Sequence, residues 1–245
     1  MRAQPPFGAV YFDCDSTLST IEGVDELVAG LDRRTQQELL LLTQRAMEGS
    51  LPLGAVYETR LAQIAPNRSA LVGVGTRYVD RVVEDAGNVV AALQYLGKHV
   101  GIVSGGLLLP VRMLAQTLGI DPANVYAVPL HFHDDGSYRD FDRQCPLWQN
   151  GGKIDVLRAL PASHRPLVFV GDGVTDLETQ GTAADLFVGF GGVVVRQKVK
   201  ATAQAWIESP SLASLLPLVL TGEELARLAD DPRFHLLVHR ATATT

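Results

Sequence analysis

The chain has 245 residues, enough for one substantial core with room for a smaller inserted domain. Hydrophobic residues make up 47% and charged residues 20%, the balance of a soluble globular protein, and no apolar stretch is long enough to span a bilayer. A net charge of −6 argues against a general nucleic-acid surface, and Cys14 and Cys145 are too few for a disulfide framework, so two reduced thiols in a cytosol are expected.

The first segment, Met1 to Pro6, lacks the apolar core of a secretory signal. Ala9-Val10-Tyr11-Phe12 then reads as a buried strand of a parallel sheet and runs into Asp13-Cys14-Asp15-Ser16-Thr17. Two carboxylates one residue apart at a strand's C-terminal end sit where an open α/β sheet places ligand chemistry. Burying like charges is costly unless a cation or proton intervenes, so the pair asks for a metal. Cys14 lies between them, a poor place for a thiolate, and reads as a small filler.

From Thr20 to Glu84 the spacing turns helical. Gln36 to Met47 predicts a helix, Gly49-Ser50-Leu51-Pro52 a break, and Leu53 to Ile64 the next helix. Pro66-Asn67-Arg68-Ser69 predicts a turn and cap before a further helix. The chain enters this insert near Ser19 and leaves near Gly87, which makes both crossings hinge candidates.

The remainder alternates. Val89–Leu96 predicts a helix, Val100–Val103 a strand ending in Ser104-Gly105-Gly106, and Leu107–Leu118 a helix. A hydroxyl and glycine amides at a strand end suit a phosphoryl oxygen. Val125–Phe132 and Tyr138–Phe141, joined by Asp134-Asp135-Gly136, predict a hairpin. His131 and His133 alternate there, and two histidines without further ligands read as structural. Trp148 precedes Gly151-Gly152-Lys153 and is expected to anchor that loop by packing; Lys153 opens a helix over Ile154–Leu160 and can neutralise phosphate charge. Leu167-Val168-Phe169-Val170 predicts a strand leading into Gly171-Asp172-Gly173-Val174-Thr175-Asp176, and another strand lies near Leu186. Gly222–His239 has the pattern of one amphipathic helix, with Ala241–Thr245 frayed.

From about Ala9 to Leu220 the chain resembles the haloacid dehalogenase-type hydrolases, and within that superfamily is similar to the phosphoserine phosphatases. The superfamily motifs are Phe12 to Thr17, Gly151-Gly152-Lys153, Gly171 to Asp176 and Phe190-Gly191-Gly192. Glu22 to Leu27, Arg45-Ala46-Met47 and Thr59 to Ala62 point to the subfamily. The resemblance implies an α/β, Rossmann-like parallel-sheet core over 1–19 and 88–221, an inserted helical cap domain over 20–87, and a C-terminal extension over 222–245.

It also implies roles. Asp13 is the expected nucleophile, forming an aspartyl-phosphate, and Asp15 the acid–base group. Mg2+ is expected on Asp13, the backbone carbonyl of Asp15 and Asp172, with Asp176 ordering its water shell or Lys153. Ser104, Gly105, Gly106, Lys153 and Thr175 would hold the phosphoryl group. Glu22 would bind the substrate ammonium, Arg60 its carboxylate, and Met47 would line the pocket. Where the family usually has Phe, this chain has Leu53, which buries less apolar area over the substrate. Related transport ATPases carry threonine at the position of Asp15, so Asp15 argues for hydrolysis or for a mutase. The expected activity is phosphoserine hydrolysis by a cytoplasmic monomer or homodimer acting on a small phosphomonoester, without nucleic acid or membrane. The alternatives are a phosphatase or phosphotransferase for another small phosphomonoester, and a non-catalytic phospho-ligand binder.

Overall fold

The computed structural model describes residues 4–47 and 53–243, with backbone alone for 43–47 and 53. The first strand, β1 (Ala9–Phe12), falls where the apolar run predicts, with all four residues buried. Four helices intervene before the sheet resumes: α1 (Gly23–Val28), α2 (Arg33–Met47), α3 (Leu53–Ile64) and α4 (Arg68–Asp80). Asn67 caps α4, its side chain accepting from Ala70 N at 2.8 Å, so the turn beginning at Pro66 does set that helix start.

There follow α5 (Ala86–Tyr95), β2 (His99–Leu107), α6 (Leu108–Thr117), β3 (Val125–Val128), β4 (Leu130–Phe132), β5 (Tyr138–Phe141) and α7 (Gly152–Ala159). The chain continues through β6 (Leu167–Gly171), α8 (Val174–Leu177), β7 (Leu186–Phe190), α9 (Gln197–Thr202), β8 (Ala205–Ile207), α10 (Leu216–Val219), α11 (Gly222–Ala229) and α12 (His235–Ala243).

Six strands form a parallel sheet in the order β3-β2-β1-β6-β7-β8, a Rossmann-like α/β arrangement. β1 is central: Ala9 aligns with His99 on one side and with Leu167 on the other. The strand order reverses there, so the crevice beyond the C-terminal end of β1 is the switch point where such sheets place ligands. β1, β6 and β7 are buried along their whole length, which is why they read as unbroken apolar runs rather than alternating ones.

Three expectations are corrected. The single strand over Val125–Phe132 is two, because Pro129 between them has no N–H to give a ladder; β3 joins the main sheet and β4 pairs antiparallel with β5 alone. The single tail helix is also two, interrupted around Pro232. α11 begins with a reciprocal cap, Thr221 N donating to Glu224 and Glu224 N donating to Thr221 Oγ1 at 3.1 Å. α12 reaches Ala243 and buries Ala241, so the end is not frayed that far; Thr244 and Thr245 lie outside the described residues. β8 has no counterpart in the sequence reading.

The tail is fastened to the core. The buried Lys98 Nζ donates to Glu224 of α11 and, at 2.9 Å, to Phe7 O, while Arg240 of α12 pairs with Asp85 at the start of α5. The two crossings of the helical insert lie side by side: Ser19 and Val82 form an antiparallel bridge, Thr20 N donates to Arg81 O at 2.8 Å and Val83 N to Leu18 O at 2.9 Å. Among the described residues no helix is long and apolar enough to cross a membrane.

Candidate active site

β1 delivers Asp13 at its tip, where Asp13 N donates to Val170 O of β6 at 2.8 Å. The chain then turns sharply. Ser16 adopts φ 53, a left-handed conformation uncommon for a non-glycine residue, and Leu18 N and Ser19 N return to Cys14 O. The end of β6 supplies Asp172, and α8 supplies Asp176. One carboxylate oxygen from each of Asp13, Asp172 and Asp176 lies within 4.8 Å of the others, and all three residues are buried.

Lys153, at the start of α7, enters this cluster from the side. Its Nζ hydrogen-bonds Asp176 Oδ1 and lies 2.9 Å from Asp13 Oδ1. The second contact is an ion pair without hydrogen-bond alignment, which leaves Asp13 Oδ1 buried and without a hydrogen-bond partner. The loop can bring Lys153 this close because residue 152 is glycine: a Cβ there would lie 2.0 Å from the Pro146 carbonyl oxygen. Trp148, just before this loop, packs edge-on to Phe141 at 5.1 Å and fills the space beside Gly54 of α3.

Three carboxylates meeting in a buried space strain one another electrostatically. Burial, then Asp13, pushes Asp172 up to about 6. Burial also pushes Asp176 up to about 7, despite Lys153. Burial alone would lower Lys153, but Asp13 and Asp176 override it and hold its ammonium above the ordinary lysine value. An all-oxygen donor set, one buried oxygen of which has no hydrogen-bond donor, fits a hard divalent cation.

Asp15 stands beside the cluster. Its Oδ1 accepts from Gly23 N at 2.8 Å and from the Tyr78 hydroxyl. Burial, then Glu22 and Asp13, pushes its carboxyl well above the usual range, against the lowering effect of these two donors. Ser104 is fully buried and accepts from Gly106 N at 3.0 Å. It follows Val103, after which the pairing of β2 with β3 loses register until Leu107. A Cβ at Gly106 would lie 3.1 Å from Asp15 Oδ2 and 3.2 Å from Ser104 Oγ, so the acid and the hydroxyl face one space. Gly105 is half-buried next to it, and Thr175 is half-buried on α8 between the strand end and Asp176.

Glu22 directly precedes α1 and accepts from Ser16 Oγ at 2.7 Å. Arg60 on α3 pairs with Asp25 of α1 rather than with the carboxylate cluster, and its Nε is buried without a hydrogen-bond partner. The side chains of Met47 and Leu53 lie outside the described residues. His131 and His133 are both exposed, and among the described residues neither belongs to a group of three ligand atoms close enough to share a metal. Cys14 is fully buried as a filler, and burial, then Asp15 and Asp13, pushes its thiol up.

Two residues of this network have no place in the sequence reading. Arg196 donates from Nε to Asp172 Oδ2 at 2.8 Å and reaches Glu22 at 3.4 Å, joining the cluster to the expected ammonium site. Tyr78, fully buried on α4, holds Asp15. Arg196 lies four residues after Gly192, where a lone cation reads as solvated. Tyr78 follows Leu71 and Val74 at helical spacing, which reads as core.

No family model matches the chain. It is 36% identical over 203 residues to the phosphoserine phosphatase of Homo sapiens, covering 81% of this chain and 88% of that protein. Among solved structures it is similar to a phospho-aspartyl intermediate analogue of phosphoserine phosphatase, with a TM-score of 0.70, 25% identity, and coverage of 88% of this chain and 100% of the other. A phosphoserine phosphohydrolase-like protein from Francisella tularensis shares the fold, with a TM-score of 0.75, 23% identity, and coverage of 85% of this chain and 99% of the other.

Proposed function

We propose that this chain, which belongs to the phosphoserine phosphatase family, hydrolyses O-phospho-L-serine to L-serine and phosphate through an aspartyl-phosphate on Asp13. The observation that carries this reading is the buried cluster of Asp13, Asp172, Asp176 and Lys153 at the switch point of the sheet, with Asp15 beside it.

In the first half-reaction an Asp13 oxygen attacks phosphorus. The bond from phosphorus to the serine oxygen breaks, its electron pair stays on that oxygen, and Asp15 supplies the proton. In the second half, Asp15 removes a proton from water as the water oxygen attacks phosphorus. The bond to Asp13 then breaks, releasing phosphate and restoring the carboxylate. Lys153, Ser104, Gly105, Gly106 and Thr175 hold the phosphoryl oxygens while charge spreads over them. Asp13, the Asp15 carbonyl and Asp172 would hold Mg2+, with Asp176 behind them on Lys153; when bound, the ion supplies positive charge that relieves repulsion between nucleophile and phosphate.

Specificity comes from the insert. Glu22 takes the substrate ammonium and Arg60 its carboxylate, with Met47 lining the pocket; the unpartnered buried Nε of Arg60 supports an added acceptor there. The proposal is completed by a cytosolic monomer or homodimer acting on this small phosphomonoester, without nucleic acid or membrane. The free thiols of Cys14 and Cys145 support a reducing compartment. The test is phosphate release from a panel of phosphomonoesters with Mg2+. O-phosphoserine should be the best substrate; a poor rate with it alongside a fast rate with another monoester would replace the substrate and keep the chemistry.

A further inference from the structure

Asp15 must carry a proton to the leaving oxygen, and a carboxyl group has two oxygens on which that proton can sit. The surroundings of this carboxyl distinguish them. Oδ1 accepts from Gly23 N at 2.8 Å and from the Tyr78 hydroxyl. A carboxylate oxygen offers about two lone-pair sites, and both of these are occupied. Oδ2 is the oxygen 3.1 Å from where a Gly106 Cβ would stand, facing the space shared with Ser104 Oγ.

Tyr78 is placed for this by fold rather than by chance packing. It is fully buried in the last turns of α4, and its carbonyl accepts from Arg81 N at 3.2 Å and from Ser19 Oγ at 3.5 Å. The phenol reaches across to the catalytic loop over Gly23. A Cβ at position 23 would lie 2.1 Å from the Tyr78 hydroxyl oxygen, so the contact exists only because residue 23 has no side chain.

We propose that Tyr78 is a positioning residue for the acid–base group: with Gly23 N it occupies Asp15 Oδ1, confining the transferable proton to Oδ2, the oxygen that faces the phosphoryl pocket. This rests on the proposed function for the assignment of Asp15 as the acid and of Ser104 and Gly106 to the phosphoryl pocket. The step itself is a transfer of one proton from Asp15 Oδ2 to the departing alkoxide as the phosphorus–oxygen bond breaks.

Tyr78→Phe keeps the ring and removes the hydroxyl. The discriminating measurement is kcat/KM with two kinds of leaving group, because this constant reports steps up to departure. Serine leaves as a basic alkoxide that needs the proton, whereas p-nitrophenolate leaves without it. The variant should lose about 10-fold or more with O-phosphoserine and change by less than about 2-fold with p-nitrophenyl phosphate. Asp15→Asn, which removes the acid itself, should lose more with O-phosphoserine than Tyr78→Phe does. Gly23→Ala, which displaces the hydroxyl from the other side, should reproduce the pattern should Tyr78→Phe fold poorly. Equal losses with both substrates would make Tyr78 structural, and no loss with O-phosphoserine would remove it from the reaction; either result overturns the proposal. If the wild type does not cleave O-phosphoserine, the substrate assignment fails separately, and O-phosphoethanolamine against p-nitrophenyl phosphate still tests Tyr78.

Discussion

The carboxylate cluster should make the metal-free protein lose stability as pH rises. Asp176 is buried and held up to about 7, against 3.8 in its ordinary state. Its folded-state value lies above its unfolded one, so the folded protein binds more protons in between. The slope of stability against pH is then negative: the contribution is fully present below about 4 and lost by about 7. Each unit is worth about 1.4 kcal/mol, so the two units between pH 5 and pH 7 remove about 3 kcal/mol. Asp172, held up to about 6, acts in the same direction. For a chain of this size that corresponds to a fall in Tm of roughly 10 °C. Thermal unfolding in chelator at pH 5, 6, 7 and 8, with and without Mg2+, measures it. The stabilisation by Mg2+ should grow with pH, since the ion replaces the protons that relieve the carboxylates. Asp176→Asn, which keeps the shape and removes the charge, should flatten the chelator curve. A metal-free Tm that is unchanged or higher at pH 8, or a Mg2+ increment that does not depend on pH, would refute the argument.

Asp13→Asn should abolish turnover while leaving Tm within a few degrees, and beryllofluoride with Mg2+ should form its adduct on Asp13 in the wild type; mass spectrometry or a structure placing it elsewhere would remove the nucleophile role. Exhaustive chelation should abolish phosphate release and Mg2+ should restore it, while Ca2+, which favours more and looser oxygen ligands, should inhibit. Glu22→Gln and Arg60→Ala each leave a substrate charge unpaired, at a cost of about 3–5 kcal/mol, so kcat/KM for O-phosphoserine should fall by more than about 100-fold. Hydrolysis of p-nitrophenyl phosphate, which lacks both groups, should hold in those variants, and parallel losses would assign them to the fold instead.

What the sequence displays of this site follows from what each residue's neighbours do. Asp13 and Asp172 are legible because each ends an apolar run buried on both faces, and a charge directly after such a run has few structural reasons to be there. Lys153 is legible only through Gly151, which takes a left-handed turn, and Gly152, which marks a close approach of backbone. Ser104 is legible because the two glycines after it mark where the ladder with β3 loses register, although the strand resumes at Leu107. Pro129 and Pro232 were each visible as residues that cannot continue a regular element, yet the apolar patterns across them hide the breaks. Tyr78 and Arg196 stay hidden for opposite reasons. A tyrosine at helical spacing is indistinguishable from core, and an arginine beyond a glycine loop from a solvated charge. Only the tertiary fold brings them to Asp15 and Asp172.

The paired crossings at Ser19 and Val82 restrict how the helical insert can move. Two strands of chain attached at separate points would permit sliding and tilting in several directions. Two strands bonded to each other behave as one ribbon, and α4, which returns along it, also packs on α6, with Met113 filling the space beside Gly75. Asp85, gripped by Arg240, Ser211 and Asn88, fixes the core end of that ribbon, so the tail helices brace the base of the insert. Tyr78, whose carbonyl rests on Ser19, sits beside the ribbon. The phenol that holds Asp15 therefore stands on a braced part of the insert, which keeps the carboxyl in its orientation.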